Sequence, residues 1–233
     1  MIFQRLQETL YFFWHHLTDL LWRLAPVLPL LALANYRFFA LHGGDPEKGM
    51  GDPLMLLPQM LAGILATALT IRYALAVVQA HDRSLGRLWG DALHRSMGLA
   101  AVQVLAGLAI VAGLFALILP GIWLMGVLLP AYVIVMAEEV TAIGALQAAW
   151  ARFRPQTWAV AACLLTIFLA LFLVLSGLET LGRLLAEAPL PLQVALVSGL
   201  DLVGLLFSQL IGIALVRFYE LERQQAAAAP GPG

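Results

Sequence analysis

Residues 119–150 read LPGIWLMGVLLPAYVIVMAEEVTAIGALQAAW, and this stretch decides the fold. It begins with a Pro-Gly pair, continues through an uncharged apolar segment that Pro130 interrupts, and then reaches Glu138-Glu139 and a helical surface. Long apolar segments belong in a bilayer, whereas charged residues are costly there and belong at its surface. We therefore expect a turn at one membrane face, a short span over 122–137 and an amphipathic helix at the other face.

The composition of the whole chain is typical of a membrane protein. Of 233 residues, 62% are hydrophobic and 12% are charged, and the formal net charge is −1. The mean hydropathy is +0.89, whereas soluble domains have only about 45–50% apolar residues. The single cysteine, Cys163, excludes an intrachain disulfide. The apolar residues 24–34 imitate a secretory signal, but acidic residues and histidines precede them, so we expect this segment to be retained.

Apolar segments of about 20 residues, the length that crosses a hydrocarbon core, predict six spans. Their approximate ranges are 18–40, 54–80, 98–119, 122–137, 158–178 and 190–216. Prolines 26 and 29 predict a kink in the first span. Three further stretches, 2–17, 81–97 and 138–155, have apolar residues at helical spacing opposite polar ones and predict amphipathic helices in the interface. The expected fold class is an all-α membrane protein with six transmembrane and three interfacial helices.

The order of these elements repeats three times along the chain. The units are about 1–80, 81–137 and 138–223, and each contains an amphipathic helix, a span outward and a span back. Because every unit starts on the same face, the repeat is predicted to be parallel, about an axis along the membrane normal. Residues 1–223 then form a single integral membrane domain. Residues 224–233, which are rich in Ala, Pro and Gly, are expected to be disordered.

The basic residues predict the orientation in the membrane. One face has eight of them: Arg5, Arg83, Arg87, Arg95, Arg152, Arg154, Arg217 and Arg223. The other face has three, Arg37, Lys48 and Arg183. Because loops rich in Lys and Arg stay in the cytoplasm, the sequence predicts that both termini are cytoplasmic.

Several of these features resemble the YciC-like family of bacterial inner-membrane proteins. They are the Pro-Gly turn in 119–124, the apolar climb from Pro130 to Glu138-Glu139, and the helix over 143–154. The basic segment 78–95 and the ending VRFYELERQ are also similar, so the resemblance covers about 78–225. The family resembles in turn the membrane domain attached to some glycerophosphodiester phosphodiesterases. The resemblance implies an inner-membrane protein concerned with the envelope or with lipids, and it implies no reaction, because the phosphodiesterase domain is absent from these residues.

The sequence departs from the family in the helix that follows the acidic pair. Family members commonly have serine and arginine there, whereas this chain has Ala148, Ala149 and Ala151. If those polar residues contact lipid head groups in relatives, the contact is weaker in this protein.

Two charged residues lie within predicted spans and are the main candidates for a ligand site. Arg72 lies about 12 Å from the cytoplasmic end of the second span, and Asp201 lies about 15 Å into the sixth. An isolated charge there costs at least about 2.5–3.5 kcal/mol, so we expect both side chains to face the interior, and the sequence leaves open whether they pair. Together with Ser208 they form a candidate polar cavity that binds an anionic head group or relays protons. The alternative is a structural ion pair beside a packing seam of Gly204, Ser208 and Gly212.

Other residues are weaker candidates. Five cytoplasmic arginines are candidate contacts for anionic lipid phosphates, although the orientation rule explains them without a ligand: Arg83, Arg87, Arg95, Arg152 and Arg154. Pro120, Gly121 and Pro130 are candidate hinge positions, with a tight hairpin as the simpler interpretation. The acidic pair at 138–139 is expected to cap the third amphipathic helix or to accept a cation. The histidines show no metal-binding spacing and the chain has no nucleotide-binding loop, so we expect neither a metal nor a cofactor.

These observations favour a non-enzymatic inner-membrane protein that binds or moves lipid or another amphiphile. Membrane lipids are the expected partners, and the nearly neutral charge gives no reason to expect nucleic acid. One alternative is a structural or assembly partner of other membrane proteins, including copies of itself. Another is a secondary transporter of a small solute that uses Asp201 as its coupling carboxylate.

Overall fold

The computed structural model describes residues 2–42, 53–81, 84–184 and 189–228. In chain order the helices are α1 Ile2–Leu24, α2 Leu28–His42, α3 Pro53–Val78, α4 Leu85–Ala116, α5 Ile118–Leu128, α6 Ala131–Ala137, α7 Ala142–Phe153, α8 Thr157–Leu184 and α9 Leu190–Ala228. Two short 3-10 helices, Ala25–Val27 and Arg154–Gln156, join α1 to α2 and α7 to α8. No strand occurs in these ranges, which confirms the all-α class.

Six helical segments are long and apolar enough to cross a membrane, as the sequence predicted. They are Leu6–Tyr36, Leu56–Val78, Leu85–Ala116, Ile118–Ala137, Ala142–Val174 and Gly199–Ala228. The second and fourth segments are the most enclosed, with 61% and 56% of an 18-residue apolar stretch in each buried inside the bundle. The first, third and fifth segments expose large apolar side chains, as helices in contact with lipid do.

Prolines interrupt two of the long helical segments. Pro26 and Pro155 each lie in a 3-10 helix, at the α1–α2 and α7–α8 junctions, because proline lacks the N–H that would continue the helical ladder. No proline occurs between residues 81 and 119, and α4 is one continuous helix of 32 residues. The predicted boundary at 97–98 is therefore wrong. The three-unit arrangement with interfacial helices stays a prediction.

The centre of the bundle is α6, whose residues Ala131, Val133, Ile134, Val135 and Met136 are all buried. This short helix packs against α3, α4, α7 and α9. Around it, small residues allow close helix contacts, as expected where apolar burial supplies little driving force between helices in lipid. A Cβ at Gly126 would lie 2.4 Å from the carbonyl oxygen of Thr157, which shows how closely α5 approaches α8.

The helices α3 and α9 are parallel neighbours. A Cβ on Gly212 would contact the Ile71 side chain at 3.5 Å, and Gln79 donates a hydrogen bond to Glu220 at 2.9 Å. Both pairs have the same separation of 141 residues, so one helix keeps a constant register against the other. Gly212 thus lies in a packing seam, as the small residues of the sixth span suggested.

The chain turns between the third and fourth spans at Leu117, three residues before the predicted Pro120-Gly121 turn. Leu117 has an extended backbone (φ −165°, ψ 143°) and separates α4 from α5. Pro120 lies in the first turn of α5, where its missing N–H is not needed. Gly121 allows the two helices to touch, since a Cβ there would lie 2.4 Å from Leu114 Cγ. Pro130 interrupts the fourth span between α5 and α6, as predicted.

Two boundaries near the C-terminal end also differ from the sequence predictions. The polar loop predicted to begin at Glu179 is helical as far as Leu184, because α8 continues through it. The last helix extends to Ala228, which lies within the segment 224–233 that was expected to be disordered. Gln and Ala, which favour helices, occupy positions 224–228. Residues 229–233 lie outside the described residues.

We expect Gly121→Ala to destabilise the protein by about 1–3 kcal/mol or more, because the added methyl group overlaps Leu114 in a turn that cannot widen. The measurement is the thermal unfolding midpoint of the purified protein in detergent. Gly107→Ala is the matched control, because it lies on α4 and a Cβ there meets nothing within 4 Å. An unchanged midpoint in the Gly121 variant would show that the hairpin is looser than described.

Candidate functional site

Apart from Asp201, the partly enclosed charged side chains of the described residues collect at one end of the bundle, where α3 approaches its carboxyl end. We call this group the polar belt and define it as Arg72, Asp91, Arg95, Glu138, Arg152 and Tyr219. Four helices and the α6–α7 connection contribute to it. Each of its members is hydrogen-bonded to another member or to the carboxyl end of α6.

Arg72 and Asp201, whose pairing the sequence left open, have different partners. Arg72 forms an ion pair with Asp91 through Nη2 and donates from Nη1 to the carbonyl oxygen of Met136 at 3.1 Å. Asp201 accepts a hydrogen bond from Asn35 Nδ2 at 2.7 Å. By the α3–α9 register, Arg72 is level with Ile213, about 18 Å along α9 from Asp201. The two residues therefore do not pair, and depths counted from the sequence placed them closer together than they are.

Ser208 lies between these two levels and bonds within its own helix. Its hydroxyl donates to the carbonyl oxygen of Leu205 at 2.6 Å and accepts from Gln209 Nε2 at 2.9 Å. The three residues predicted to share one cavity therefore occupy separate places in the structure. Asp201 with Asn35 is a polar contact between α9 and α2, and Ser208 satisfies its hydrogen bonds locally.

Arg95 holds the carboxyl end of α6. Its Nη1 donates to the carbonyl oxygens of Glu138 at 2.8 Å and Met136 at 3.3 Å, and Nη2 lies 3.6 Å from Glu139 Oε1. The last carbonyls of a helix have no partner within the helix, and cations are favoured there by the helix dipole. Arg95 is thus engaged by the protein, although the sequence suggested it as a lipid contact.

Glu138 links the α6–α7 connection to α7 and α9. Arg152 contacts its two carboxylate oxygens at 2.5 and 3.2 Å, and the Tyr219 hydroxyl donates to Oε1 at 3.0 Å. Burial alone raises the pKa of Glu138, but hydrogen bonds from Arg152 and Tyr219 outweigh it, and the pKa is lower than the ordinary value. The carboxylate is therefore held in its charged form.

The cap of α7 is Thr141, and Glu138 and Glu139 do not fill this role. The Thr141 hydroxyl accepts a hydrogen bond from the backbone N–H of Gly144 at 3.2 Å. The acidic pair lies farther back, with Glu138 bound to Arg152 and the Glu139 side chain 93% exposed. Threonine just before an apolar helical run is a standard start signal that could have identified this cap from the sequence.

A second polar contact joins α1 to α3 beside the belt. The buried Tyr73 donates its hydroxyl hydrogen to Asp19 Oδ2 at 3.0 Å and lies 2.9 Å from His16 Nδ1. The guanidinium of Arg23 lies over the Tyr73 ring, 4.8 Å from its centroid, which is a favourable cation–π distance. The N-terminal helix is thus attached to the bundle by polar groups at the same end.

Between α3 and α4 the belt opens into a cleft of about 190 Å³, which we call the basic cleft. Its lining residues are Arg72, Leu75, Ala76, Gln79, His81, Arg87, Leu88 and Asp91. Two guanidinium groups and one imidazole thus surround a single carboxylate. Arg72 Nε is buried and has no hydrogen-bond partner in the protein, and an unsatisfied buried donor costs about 1–3 kcal/mol.

The five arginines suggested as lipid contacts fall into distinct environments. Arg95 and Arg152 bond to protein groups in the belt. Arg87 is exposed at the basic cleft, and Arg154 is exposed beyond the end of α7. Arg83 lies outside the described residues. Only Arg87 among them combines exposure with a place in a described cleft.

Sequence reasoning missed the partners of the belt arginines. Asp91 lies 19 residues from Arg72, and Glu138 lies 14 residues from Arg152, so neither pair follows a local helical spacing. One available signal was that Asp91 and the acidic pair occur in the same basic end segments as the arginines. Among the described residues, no group of three or more His, Cys, Asp or Glu side chains could hold a metal ion.

Comparisons with known proteins add no homologue to this geometry: no family model, no curated protein and no solved structure matches the chain.

We expect Glu138→Gln to lower stability at neutral pH by up to about 1 kcal/mol, the upper value for an ion pair partly screened by solvent. The folded-state pKa is below the unfolded value of about 4.3, so this stabilisation is complete above that pH and is lost as the pH falls through the folded-state pKa. Denaturant unfolding of both proteins between pH 7 and pH 3 measures the difference, which should shrink at the acid end.

The matched control for that experiment is Glu139→Gln, which removes the same charge from the neighbouring, exposed side chain. It should change stability little at any pH. Equal effects of the two substitutions would show that general charge, and not the Arg152 contact, determines the pH dependence.

Proposed function

We propose that this protein binds the anionic head group of a membrane lipid or similar amphiphile in the basic cleft, without a chemical reaction. The observation that carries the proposal is the lining of the cleft, where Arg72, Arg87 and His81 surround one carboxylate. Guanidinium groups bind phosphate through paired, charge-assisted hydrogen bonds.

The surroundings of the cleft suit an amphiphile better than a soluble anion. The cleft includes the apolar side chains Leu75, Ala76 and Leu88. These apolar side chains can contact the apolar part of an amphiphile while its head group lies at the charged side chains of the cleft.

The location that we propose is the cytoplasmic side of a bacterial inner membrane. The excess of basic residues at the belt end supports cytoplasmic termini. The resemblance of residues 78–225 to the YciC-like family supports an inner-membrane protein that handles lipid. Both inferences agree with anionic lipid as the ligand, because a juxtamembrane basic residue attracts such lipid by about 1 kcal/mol.

Native mass spectrometry of the protein in nanodiscs of mixed phosphatidylethanolamine and phosphatidylglycerol tests the proposal. The wild type should retain anionic lipid, and Arg87→Gln should reduce the retained fraction by about fivefold, the equivalent of about 1 kcal/mol. Arg154→Gln is the matched control, because it removes an exposed arginine from the same end of the bundle but outside the cleft.

The two substitutions separate a defined site from general attraction. Equal losses of anionic lipid in both variants would contradict a lipid site in the cleft. They would show that the lipid is attracted only by the general positive charge of this face. An oligomer that retains no specific lipid would favour an assembly role, which the same spectra report through the subunit number.

A further inference from the structure

The turn between α4 and α5 differs from the other connections at its end of the bundle. The sequence between α2 and α3 contains Asp45, Glu47, Lys48 and Asp52, and that between α8 and α9 contains Glu187. In contrast, no residue from Ser96 to Ala137 is charged. The turn itself consists of one residue, Leu117, so no polar loop separates the two helices.

The side chains at this turn are apolar and uncovered by protein. Phe115 is 87% exposed, and Leu117, Ile118 and Leu119 are 69%, 70% and 66% exposed. The order of the helices places this turn at the end of the bundle opposite the polar belt, because α4 begins at the belt and α5 leads back to it. A water-exposed position would leave four large apolar side chains in contact with solvent, which is unfavourable.

The lengths of the two helical segments on either side of the turn, which we call its legs, show how deep in the membrane the turn lies. Arg95 connects both legs at the belt, since it lies on α4 and bonds to the carbonyl of Glu138. From Arg95 to Ala116, α4 rises about 32 Å. The returning segment Ile118–Ala137 has 20 residues, or about 30 Å. A hydrocarbon core is about 30 Å thick, and spans tilt by about 20° on average, so neither leg extends beyond the core.

We propose that the α4–α5 turn ends among the lipid acyl chains of the leaflet opposite the polar belt and does not emerge into water. Three observations favour lipid as the occupant: the legs match the core thickness, the segment has no charge, and the exposed residues surround the turn on more than one side. Close contact of Gly113 with Gly121, whose Cα would lie 3.0 Å from a Cβ on Gly113, makes the loop-free turn possible. This inference is independent of the basic cleft.

Single-cysteine labelling tests the position of the turn. The background substitution is Cys163→Ala, which removes a fully buried thiol, and the probe position is Leu117→Cys. In membrane fragments open on both faces, a membrane-impermeant maleimide should label the L117C thiol at least about tenfold more slowly than a water-exposed thiol, because thiolate is the reactive form and apolar surroundings suppress it. Lys48→Cys is the control, because the sequence predicts that this charged segment forms a loop in water.

A second measurement identifies what surrounds the turn. A bimane dye attached to L117C after detergent solubilisation, followed by reconstitution, should be quenched by nitroxide-labelled acyl chains and protected from aqueous iodide. Iodide quenching, or maleimide labelling as fast as in K48C, would overturn the proposal in favour of a solvent-exposed turn. Protection from both quenchers would overturn it in favour of a protein partner. Ile118→Cys repeats the experiment if the first variant does not give a monodisperse protein.

Discussion

The carbonyl oxygen of Met136 accepts hydrogen bonds from two arginines, and the arrangement of the bundle depends on this meeting point. Arg72 reaches it from α3 at 3.1 Å, and Arg95 reaches it from α4 at 3.3 Å. The helix α6 ends inside the protein, where its last carbonyls have no partner within the helix and little access to water. Side chains must therefore supply the donors, and two guanidinium groups do so. The central helix is thereby joined to both of its long neighbours at one level.

The charges at this level balance. Arg72, Arg95 and Arg152 are matched by Asp91, Glu138 and Glu139. An enclosed ion pair gains stability only when its remaining polar atoms are also satisfied, and here backbone carbonyls and Tyr219 complete the hydrogen bonds. These paired charges thus lie near one end of the bundle. The α4–α5 hairpin, in contrast, has no charged residue from Ser96 to Ala137. The polar belt therefore marks the level from which α4 and the returning segment Ile118–Ala137 cross to the opposite end of the bundle.

The number and type of helices could be predicted from the sequence because both follow from local properties. Apolar length identified six spans, and proline positions identified the kinks at Pro26 and Pro130. Helix ends were less predictable, since α4 and α9 continue through residues whose polarity suggested a change of element. The Pro-Gly turn was placed too late because proline is equally favourable in the first turn of a helix. In each case the error came from placing the end of a helix where the residue composition changes.

The side-chain partners could not be predicted, because they depend on how helices are rotated and offset against one another. Arg72 and Asp201 are both charged residues within spans, and depth counted from the sequence allowed them to meet. The α3–α9 register, fixed by Gly212 against Ile71, separates them by several helical turns. Thr141 was more accessible to prediction, because helix capping depends on a spacing of a few residues within one segment.

Arg72 belongs both to the polar belt and to the basic cleft, and its geometry determines how an anion can be bound there. The guanidinium presents five donors; Nη1 and Nη2 bond to Met136 and Asp91, whereas Nε has no partner. An anion that displaced Asp91 would leave an enclosed carboxylate without its cation, which is strongly unfavourable. An anion that instead lies at the exposed Arg87 leaves the ion pair intact. In the binding mode that we propose, the anion therefore lies at the Arg87 side of the cleft, and the contacts that join α3, α4 and α6 are unchanged.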